Sequence, residues 1–253
     1  MPPFANHRDT EAPRMPFMKR ASRWLGASVV CAIVLAMPAA GAGVAFAQVQ
    51  LPGVIPIFPL QDATLFPKAE HQFHIFEPRY RAMIADALAG NKVIGMVTLR
   101  PGYEADYNGR PPIFPIGCAG IILDYEELPD GRYNILLGGV AKFRVESEDN
   151  SRPYRVARIT PMPEVLDDSE VEPLYKQRQR LEALLSKLSE KLGIAVPPAD
   201  ADDEGVVDVL AQVLPLAPPE RQRLLEEPGS LARAAAIIRL LEQMLPATQA
   251  LAR

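Results

Sequence analysis

The chain changes from one repeating pattern to another near residue 165, and this change most constrains its fold. Between about residues 54 and 164, short apolar runs alternate with glycine, proline and Asp-Gly, which is typical of strands joined by tight turns. From about residue 170 to 246, apolar residues recur every three or four positions, which is typical of amphipathic helices. We therefore predict an α+β fold, in which a small, partly closed β-barrel precedes a bundle of helices.

The first half is predicted to hold short strands and one early helix. Pro78 occupies the favoured first turn of that helix, over residues 78–89, and Gly90-Asn91 stops it. Asp130-Gly131 predicts a hairpin turn, because this pair tolerates positive φ. Gly138-Gly139 predicts a bulge or tight corner. The strands are predicted at residues 54–60, 72–76, 93–99, 113–125, 133–138, 141–146 and 154–160.

The second half is predicted to be helical. A long amphipathic helix spans residues 173–192 and ends at Gly193, a typical C-cap. A second apolar face covers residues 206–214, Pro218 begins a third helix, and Ser230 caps the last one. A chain of 253 residues fits one or two domains. We divide it into residues 1–47 (extension and leader), 48–164 (barrel) and 165–253 (helical part of the same domain).

A basic stretch and an apolar run precede the predicted barrel. Lys19, Arg20 and Arg23 come before an uncharged apolar run over residues 25–37, and small residues then lead to Ala-Phe-Ala at 45–47. This layout is typical of a secretory signal peptide, and the run is short for a spanning helix, which needs about 20 residues. We predict cleavage near Ala47-Gln48 and a periplasmic protein, with an inner-membrane anchor and periplasmic body as the alternative. Translation could begin at Met1 or at Met18.

Charge and cysteine content narrow the range of partners. Residues 1–47 carry five basic and two acidic side chains, so 22 basic and 29 acidic residues remain from Gln48 onward. An acidic body repels phosphate backbones, which argues against nucleic-acid binding. Removal of the leader takes Cys31 with it and leaves Cys118, which lies in an apolar run and is predicted to be a buried small hydrophobe.

The sequence contains no recognised arrangement of catalytic residues. It has neither a G-x-x-x-x-G-K-S/T phosphate loop nor a G-x-S-x-G nucleophile elbow. The histidines are His7, His71 and His74, and the last two are spaced three apart on a predicted strand, which puts them on opposite faces. We therefore predict a protein that is not an enzyme and that has no metal site and no cofactor.

Motifs in both halves are similar to those of a known family. FPL at residues 58–60, LFP at 65–67 and HIFEPRY at 74–80 resemble the opening of the N-terminal substrate-recognition domain of Lon proteases. GCAGII at 117–122 and GVAKFRV at 139–145 resemble two further strands of that domain, although Lys142 stands where the family usually has arginine. LPL at 214–216 and RQRLLE at 221–226 resemble its helical part, so the resemblance covers about residues 54 to 246.

The resemblance implies a PUA-like pseudobarrel with a C-terminal helical subdomain, without the ATPase and peptidase domains. It also implies binding of unfolded or extended protein segments, and we expect a stand-alone exported domain that serves proteolysis as an adaptor. An envelope peptidase is a candidate partner, and no nucleic acid is expected. The alternatives are a nucleic-acid-binding PUA-like module and a small-molecule or lipid-binding envelope protein.

The expected substrate site is a groove between the barrel and the helical subdomain. Glu77 and Arg79 belong to the family motif and either cap and pair locally or contact a ligand, and Gly120, Gly139 and Phe143 are expected to have structural roles. Tyr103 and Tyr107, on a polar loop, are the aromatic residues best placed for partner contact. The predicted lining consists of Phe58, Leu60, Phe66, Phe76, Tyr80, Tyr103 and Tyr107.

Overall fold

The computed structural model of the chain describes residues 50–103, 109–149, 151–198 and 200–245. Within these ranges it has a six-stranded mixed sheet and five helices, which confirms the predicted α+β class. The predicted leader and Tyr107 lie outside the described residues. No helix in the described ranges is long and apolar enough to cross a membrane.

The sheet closes on itself to form the predicted barrel. The strand order is β2-β5-β4-β3-β1-β6, and β5 also pairs with β6, which closes a ring of five strands and leaves β2 paired to the outside of this ring through β5. Only β1 and β3 pair in parallel, and every other pairing is antiparallel. The strands are β1 (Val54–Leu60), β2 (Glu70–Ile75), β3 (Val93–Thr98), β4 (Ile116–Glu127), β5 (Tyr133–Asp149) and β6 (Arg155–Met162).

One continuous strand replaces the two that we predicted on either side of Gly138-Gly139. β5 runs for 17 residues, pairing with β2 along its first part and with β6 along its last part. The predicted bulge is present, because the register with β4 steps from Ala119↔Ala141 to Gly120↔Gly139 and leaves Val140 unmatched. The bulge bends the strand without ending it, so β5 can pair with β2 at one end and with β6 at the other.

The interior of the barrel is filled by a small apolar cluster around Phe143. Every strand of the closed ring contributes to it, and the ring of Phe143 is fully buried at its centre. A Cβ atom at Gly95 or at Gly117 would lie 2.7 Å or 2.8 Å from Phe143 Cζ, so the aromatic ring needs these glycines. The interior is therefore a packed core. Its buried members are Ile55, Ile57, Val93, Val97, Ala119, Phe143, Ala157 and Ile159.

The helices pack against the outside of the barrel through a second, larger apolar cluster. The first follows β2, and the other four follow β6. Leu174, Leu181 and Leu185 of the longest helix are fully buried in this cluster together with Phe66 of the loop after β1. The helices are α1 (Pro78–Ala89), α2 (Asp168–Leu192), α3 (Asp203–Val213), α4 (Pro218–Glu226) and α5 (Ser230–Met244).

Two predicted helix starts are wrong. α2 begins at Asp168, five residues before the predicted start, and Glu170 accepts a hydrogen bond from the N–H of Asp167 at 3.2 Å. Pro173 is the sixth residue of the helix, where it lacks the N–H that would otherwise donate to the carbonyl oxygen of Ser169. Ser230 is the first residue of α5 and its side chain caps nothing, because Gly229 occupies the N-cap position. The predicted C-cap is confirmed, since Gly193 adopts φ +66°.

A cluster of buried charges ties the barrel to the helices. Lys142 of β5 lies 2.5 Å from Glu164, which also pairs with Arg233 of α5 at 2.5 Å. Arg233 is completely buried, donates to the carbonyl oxygen of Leu224 at 3.0 Å and also pairs with the buried carboxylate of Asp208 in α3. Two positive and two negative side chains thus compensate each other where β5, α3 and α5 meet.

Candidate functional site

Four rings in contact form a row from the start of α1 to β2. The ring of Tyr80 packs edge-on against Phe58 at 4.6 Å between centroids, and Phe58 packs edge-on against Phe73 at 5.6 Å. His71 stacks on Phe73 at 4.3 Å with an interplanar angle of 15°. Phe58 and Tyr80 are buried, whereas Phe73 and His71 are half-buried, so the row becomes accessible at β2. We call these residues the aromatic row.

His71 is neutral at physiological pH in this position. Burial lowers its pKa from 6.5, and the nearby positive charge of Arg221 lowers it further. Its Nδ1 donates to the carbonyl oxygen of Gln72 at 3.0 Å, since that oxygen can only accept. The accessible end of the aromatic row is therefore an uncharged surface.

Phe76 is a further accessible aromatic residue, just beyond the end of β2. It is 60% exposed, and its ring lies 6.4 Å from that of His74 on the opposite face of the strand from Phe73. His74 is held in place, because its Nδ1 donates to Asn134 Oδ1 at 2.7 Å and its Nε2 accepts from Arg132 at 3.1 Å. An aromatic ring this exposed gains free energy when a partner covers it.

A pocket of about 300 Å³ opens beside the first turn of α1. Arg79 donates to Glu77 at 2.9 Å and lies over the ring of Tyr80 at 4.6 Å, which fixes the guanidinium at the pocket wall. Glu77 and Arg79 thus pair with each other, and Arg79 also borders the pocket. The pocket is lined by Pro59, Arg79, Tyr80, Leu99, Gly109, Arg110, Pro111, Pro153, Tyr154 and Arg155.

The far wall of the pocket is held by a buried ion pair. Arg155 donates to both carboxylate oxygens of Glu148 at 2.6 Å and to the carbonyl oxygen of Pro111 at 2.8 Å. Next to it, Tyr154 donates to Asp86 of α1 at 2.5 Å, and burial together with this hydrogen bond raises the pKa of Tyr154 to about 12. Arg110 is exposed and forms no ion pair with any residue that the structure describes. The pocket therefore combines an apolar floor with a positively charged rim.

The structure places the predicted lining residues in several different environments. Phe66 is fully buried under the helices, below the ring-facing guanidinium of Arg233 at 5.6 Å, and lines no surface. Phe58 is also core, and Leu60 is partly buried against the same cluster. Tyr80 borders the pocket, and Phe76 and Tyr103 are exposed.

Core side chains of both the barrel and the helices pack together where the two meet. A groove of about 510 Å³ lies between the start of α2 and the start of α5. Its carboxylates already have partners. Glu164 pairs with Lys142 and Arg233, and Glu204 pairs with Lys68.

Sequence reasoning missed His71 and Phe73 as surface residues. The alternation of side chains between the two faces of β2 could have identified them. Residues 71 and 73 lie on one face of the strand, and Gln72 and His74 lie on the other. Arg155 was missed because its partners lie 7 and 44 positions away in the sequence.

The described residues hold no group of side chains that could bind a metal ion. Cys118 is completely buried, and burial raises the pKa of its thiol far above the usual range, so it is unreactive. Neither histidine of β2 has a second metal-ligating neighbour among the residues that the structure describes.

Comparison with known families shows which family the chain belongs to. The family model of the ATP-dependent protease La (LON) substrate-binding domain matches residues 54–243, which is most of the chain. The chain belongs to this family. The matched region includes both the barrel and the helices, so the LON substrate-binding domain accounts for all eleven described elements.

Curated relatives of this LON domain are much longer proteins. A Lon protease of Anaeromyxobacter dehalogenans is 27% identical over 211 residues, which cover 81% of this chain and 25% of that protein. Lon protease 2 of Myxococcus xanthus is 28% identical over 206 residues, covering 76% of this chain and 24% of that protein. The chain thus spans about a quarter of the length of these relatives, and the region in common is their substrate-binding domain.

A solved structure shows the same fold. The N-terminal domain of a Mycobacterium avium complex Lon protease aligns with a TM-score of 0.56 at 16% identity, covering 76% of this chain and all of that one. At this level of identity the similarity concerns the fold.

The structural roles of the LON motif residues are visible in the barrel. Gly139 lies against the loop before β2, where an added Cβ would come within 1.9 Å of the carbonyl oxygen of Phe66. Gly120 packs against Leu137 and Leu65, where an added Cβ would lie 2.7 Å and 2.8 Å from their side chains. Phe143 fills the barrel. Lys142 is buried between Glu164 and the carbonyl oxygen of Glu227.

Proposed function

We propose that this LON domain binds extended, apolar segments of unfolded proteins along β2, where His71 and Phe73 lie on one face and Phe76 lies on the other. We call these three residues the aromatic surface. The observation that carries the proposal is the exposure of aromatic rings along β2, where Phe76 is 60% exposed and the stacked rings of His71 and Phe73 are half-buried. The other end of the row reaches Tyr80 at the pocket beside α1, so one binding segment could contact both.

The physical character of the aromatic surface supports binding of many sequences. It consists of two phenylalanine rings and an imidazole that is neutral at physiological pH, so it gains free energy by covering apolar side chains of any type rather than by matching one set of polar groups. We expect a dissociation constant of about 10–100 µM for a single segment. The domain then acts by holding a substrate, and bond cleavage is left to another protein.

A binding titration tests this function. The full chain is titrated into fluorescently labelled α-lactalbumin that has been reduced and carboxymethylated, which keeps it unfolded, and into native α-lactalbumin as the matched control. We expect binding to the unfolded form only. Phe76→Ser should weaken binding about tenfold, because exposed aromatic residues dominate such contacts.

Val196→Ser is the control variant. Val196 is also exposed, on the segment between α2 and α3, so it removes a comparable apolar group away from the aromatic surface. We expect its affinity to equal that of the wild type. Equal binding of the native and unfolded forms, or no binding of either at 100 µM, would contradict the proposed function.

We also propose that the domain is exported and acts in the periplasm, with an envelope peptidase as the partner that degrades bound substrates. The pattern of basic, apolar and small residues over 18–47 supports export. Cell fractionation with determination of the mature N-terminus tests this. We expect a periplasmic protein that begins at Gln48, and a cytoplasmic protein that begins at Met1 or Met18 would contradict it.

A further inference from the structure

β2 uses only one of its two edges for pairing within the sheet. It pairs with β5 over Glu70–Ile75, and no other described strand lies beside it. β5 is therefore the sole strand neighbour of β2 in the described part of the chain, and the outer edge of β2 faces away from the sheet. An open edge presents backbone N–H and C=O groups that an added strand can pair with.

The register identifies the groups on this edge. Gly139 donates to Ala69 at 2.8 Å, so the odd-numbered residues from 69 onward direct their backbone groups toward β5. The even-numbered residues Glu70, Gln72 and His74 therefore direct theirs outward, and all three are exposed. The carbonyl oxygen of Glu70 accepts from Gln212 Nε2 at 2.6 Å, which confirms this direction.

Side chains occupy part of the edge. The carboxamide of Gln212 covers the Glu70 carbonyl group, and the imidazole of His71 donates to the Gln72 carbonyl group. The N–H of Gln72 and both backbone groups of His74 have no partner among the described residues. A carboxamide has the same polar groups as a peptide bond, so the fold already satisfies the first position of the edge with an amide.

We propose that an extended segment of an unfolded substrate binds here as an added β-strand, pairing with Gln72 and His74. This rests on the proposed function and specifies how the aromatic surface is used. Alternate side chains of the added strand would lie beside His71 and Phe73 on one face and beside Phe76 on the other. Backbone pairing is independent of sequence, which suits a site that accepts many segments.

A second copy of the chain fits this edge less well. Symmetric antiparallel pairing about Gln72 would set each Glu70 opposite the His74 of the other copy. That arrangement needs the Glu70 carbonyl oxygen, which already accepts from Gln212. A short foreign segment can pair beyond Gln72 without disturbing this contact.

Two substitutions at one position test the proposal. Gln72→Pro removes the outward N–H while leaving the hydrogen bonds to β5 intact, and proline is tolerated at such edge positions. Gln72→Ala removes the same side chain but keeps the N–H. With reduced, carboxymethylated α-lactalbumin as the probe, we expect Gln72→Pro to bind about tenfold more weakly than Gln72→Ala, which should bind like the wild type. Equal affinities of the two variants would overturn the proposal.

Amide hydrogen exchange of the wild-type full chain decides the question even if Gln72→Pro fails to fold. We expect the probe to slow exchange at Gln72 and His74 selectively, while His71 and Phe73 are already protected by β5. Protection of Gln72 and His74 without the probe, or a loss of dimerisation in Gln72→Pro, would assign the edge to this chain itself and overturn the proposal. If the probe binds with no change at these amides, the edge proposal fails while the proposed function stands. If the probe does not bind at all, the proposed function fails.

Discussion

At the scale of single residues, the buried charges around Arg233 connect the barrel to the helices. Arg233 contributes hydrogen bonds to Glu164, Asp208 and the carbonyl group of Leu224 and has no exposed surface. Two carboxylates would lose their shared partner if the guanidinium were removed, and only Lys142 would remain to compensate Glu164. Such clusters are costly to disrupt, whatever they contribute as a whole.

Arg233→Met should therefore lower the free energy of unfolding by about 3–5 kcal/mol, because it leaves buried carboxylates uncompensated. Denaturant unfolding followed by circular dichroism measures this. Arg239→Met is the matched control, since Arg239 is an exposed residue of the same helix. We expect that control to change stability by less than about 0.5 kcal/mol. Equal effects of the two variants would contradict the role assigned to Arg233.

Stability should also depend on pH through Asp208. Burial raises the pKa of Asp208 from 3.8 to about 7, and Glu164 adds to this while Arg233 opposes it. The folded state then binds a proton more tightly than the unfolded state. This contribution to stability is present below about pH 4 and is lost as the pH rises through about 7.

Asp208→Asn cannot lose a proton at this site, so it isolates the effect. We expect the unfolding free energy of the wild type minus that of Asp208→Asn to decrease between pH 5 and pH 8. Denaturation curves of both proteins at these pH values measure the difference. A difference that stays constant or increases would show that Asp208 is ionised throughout.

The cluster of buried charges is the feature that the sequence predicted least well. Lys142, Glu164, Asp208 and Arg233 come from four separate segments, and nothing in their local sequence marks them as partners. Only Lys142 attracted attention, through the resemblance to the LON motif, and its partners followed from the fold. The burial of some aromatic side chains was also not predicted. Phe58 and Phe66 are candidates for binding in the sequence, but in the structure both belong to the apolar core that joins the barrel to the helices.

At the scale of elements, β5 determines the form of the barrel. It pairs with β2, β4 and β6, and the bulge at Val140 lets one strand bend between these neighbours. Gly139 sits at the bend, where the loop before β2 crosses the strand. Gly139 accepts from the N–H of Lys68 at 3.1 Å and donates to the carbonyl group of Ala69 at 2.8 Å.

Gly139→Ala should lower the free energy of unfolding by about 1–3 kcal/mol, because its Cβ would lie 1.9 Å from a backbone oxygen and would push the loop away. Thermal or denaturant unfolding measures this. Gly53→Ala is the control, since nothing lies within 4 Å of an added Cβ there. An unchanged stability of Gly139→Ala would show that the loop before β2 moves without cost.

Elements were predicted well where local chemistry decides them. Strand β1 and helix α1 have the predicted bounds. Proline and glycine mark both ends of α1, and Gly53 precedes β1. The prediction failed where distant parts of the chain decide, as in the single strand β5 and the earlier start of α2. A glycine pair looks the same in sequence whether a strand bends or ends there, and the partner strands settle which occurs.

At the scale of the whole molecule, two apolar clusters stabilise the fold. One fills the barrel, and the other joins the barrel to the helices through Phe66, Leu181 and their neighbours. The aromatic surface lies on β2 and just before α1. The resemblance to LON domains predicted the architecture, whereas the location of the aromatic surface required the structure.

Photocrosslinking from defined positions tests this location most directly. In one variant benzoylphenylalanine replaces Phe76, which belongs to the aromatic surface. In a second variant it replaces Val165, which is exposed at the groove between α2 and α5. Each full-length protein is irradiated with reduced, carboxymethylated α-lactalbumin, and native α-lactalbumin serves as the control. We predict crosslinks to the unfolded protein from position 76 and none from position 165. Crosslinks from position 165 alone would place the substrate on the helices and contradict the proposed site.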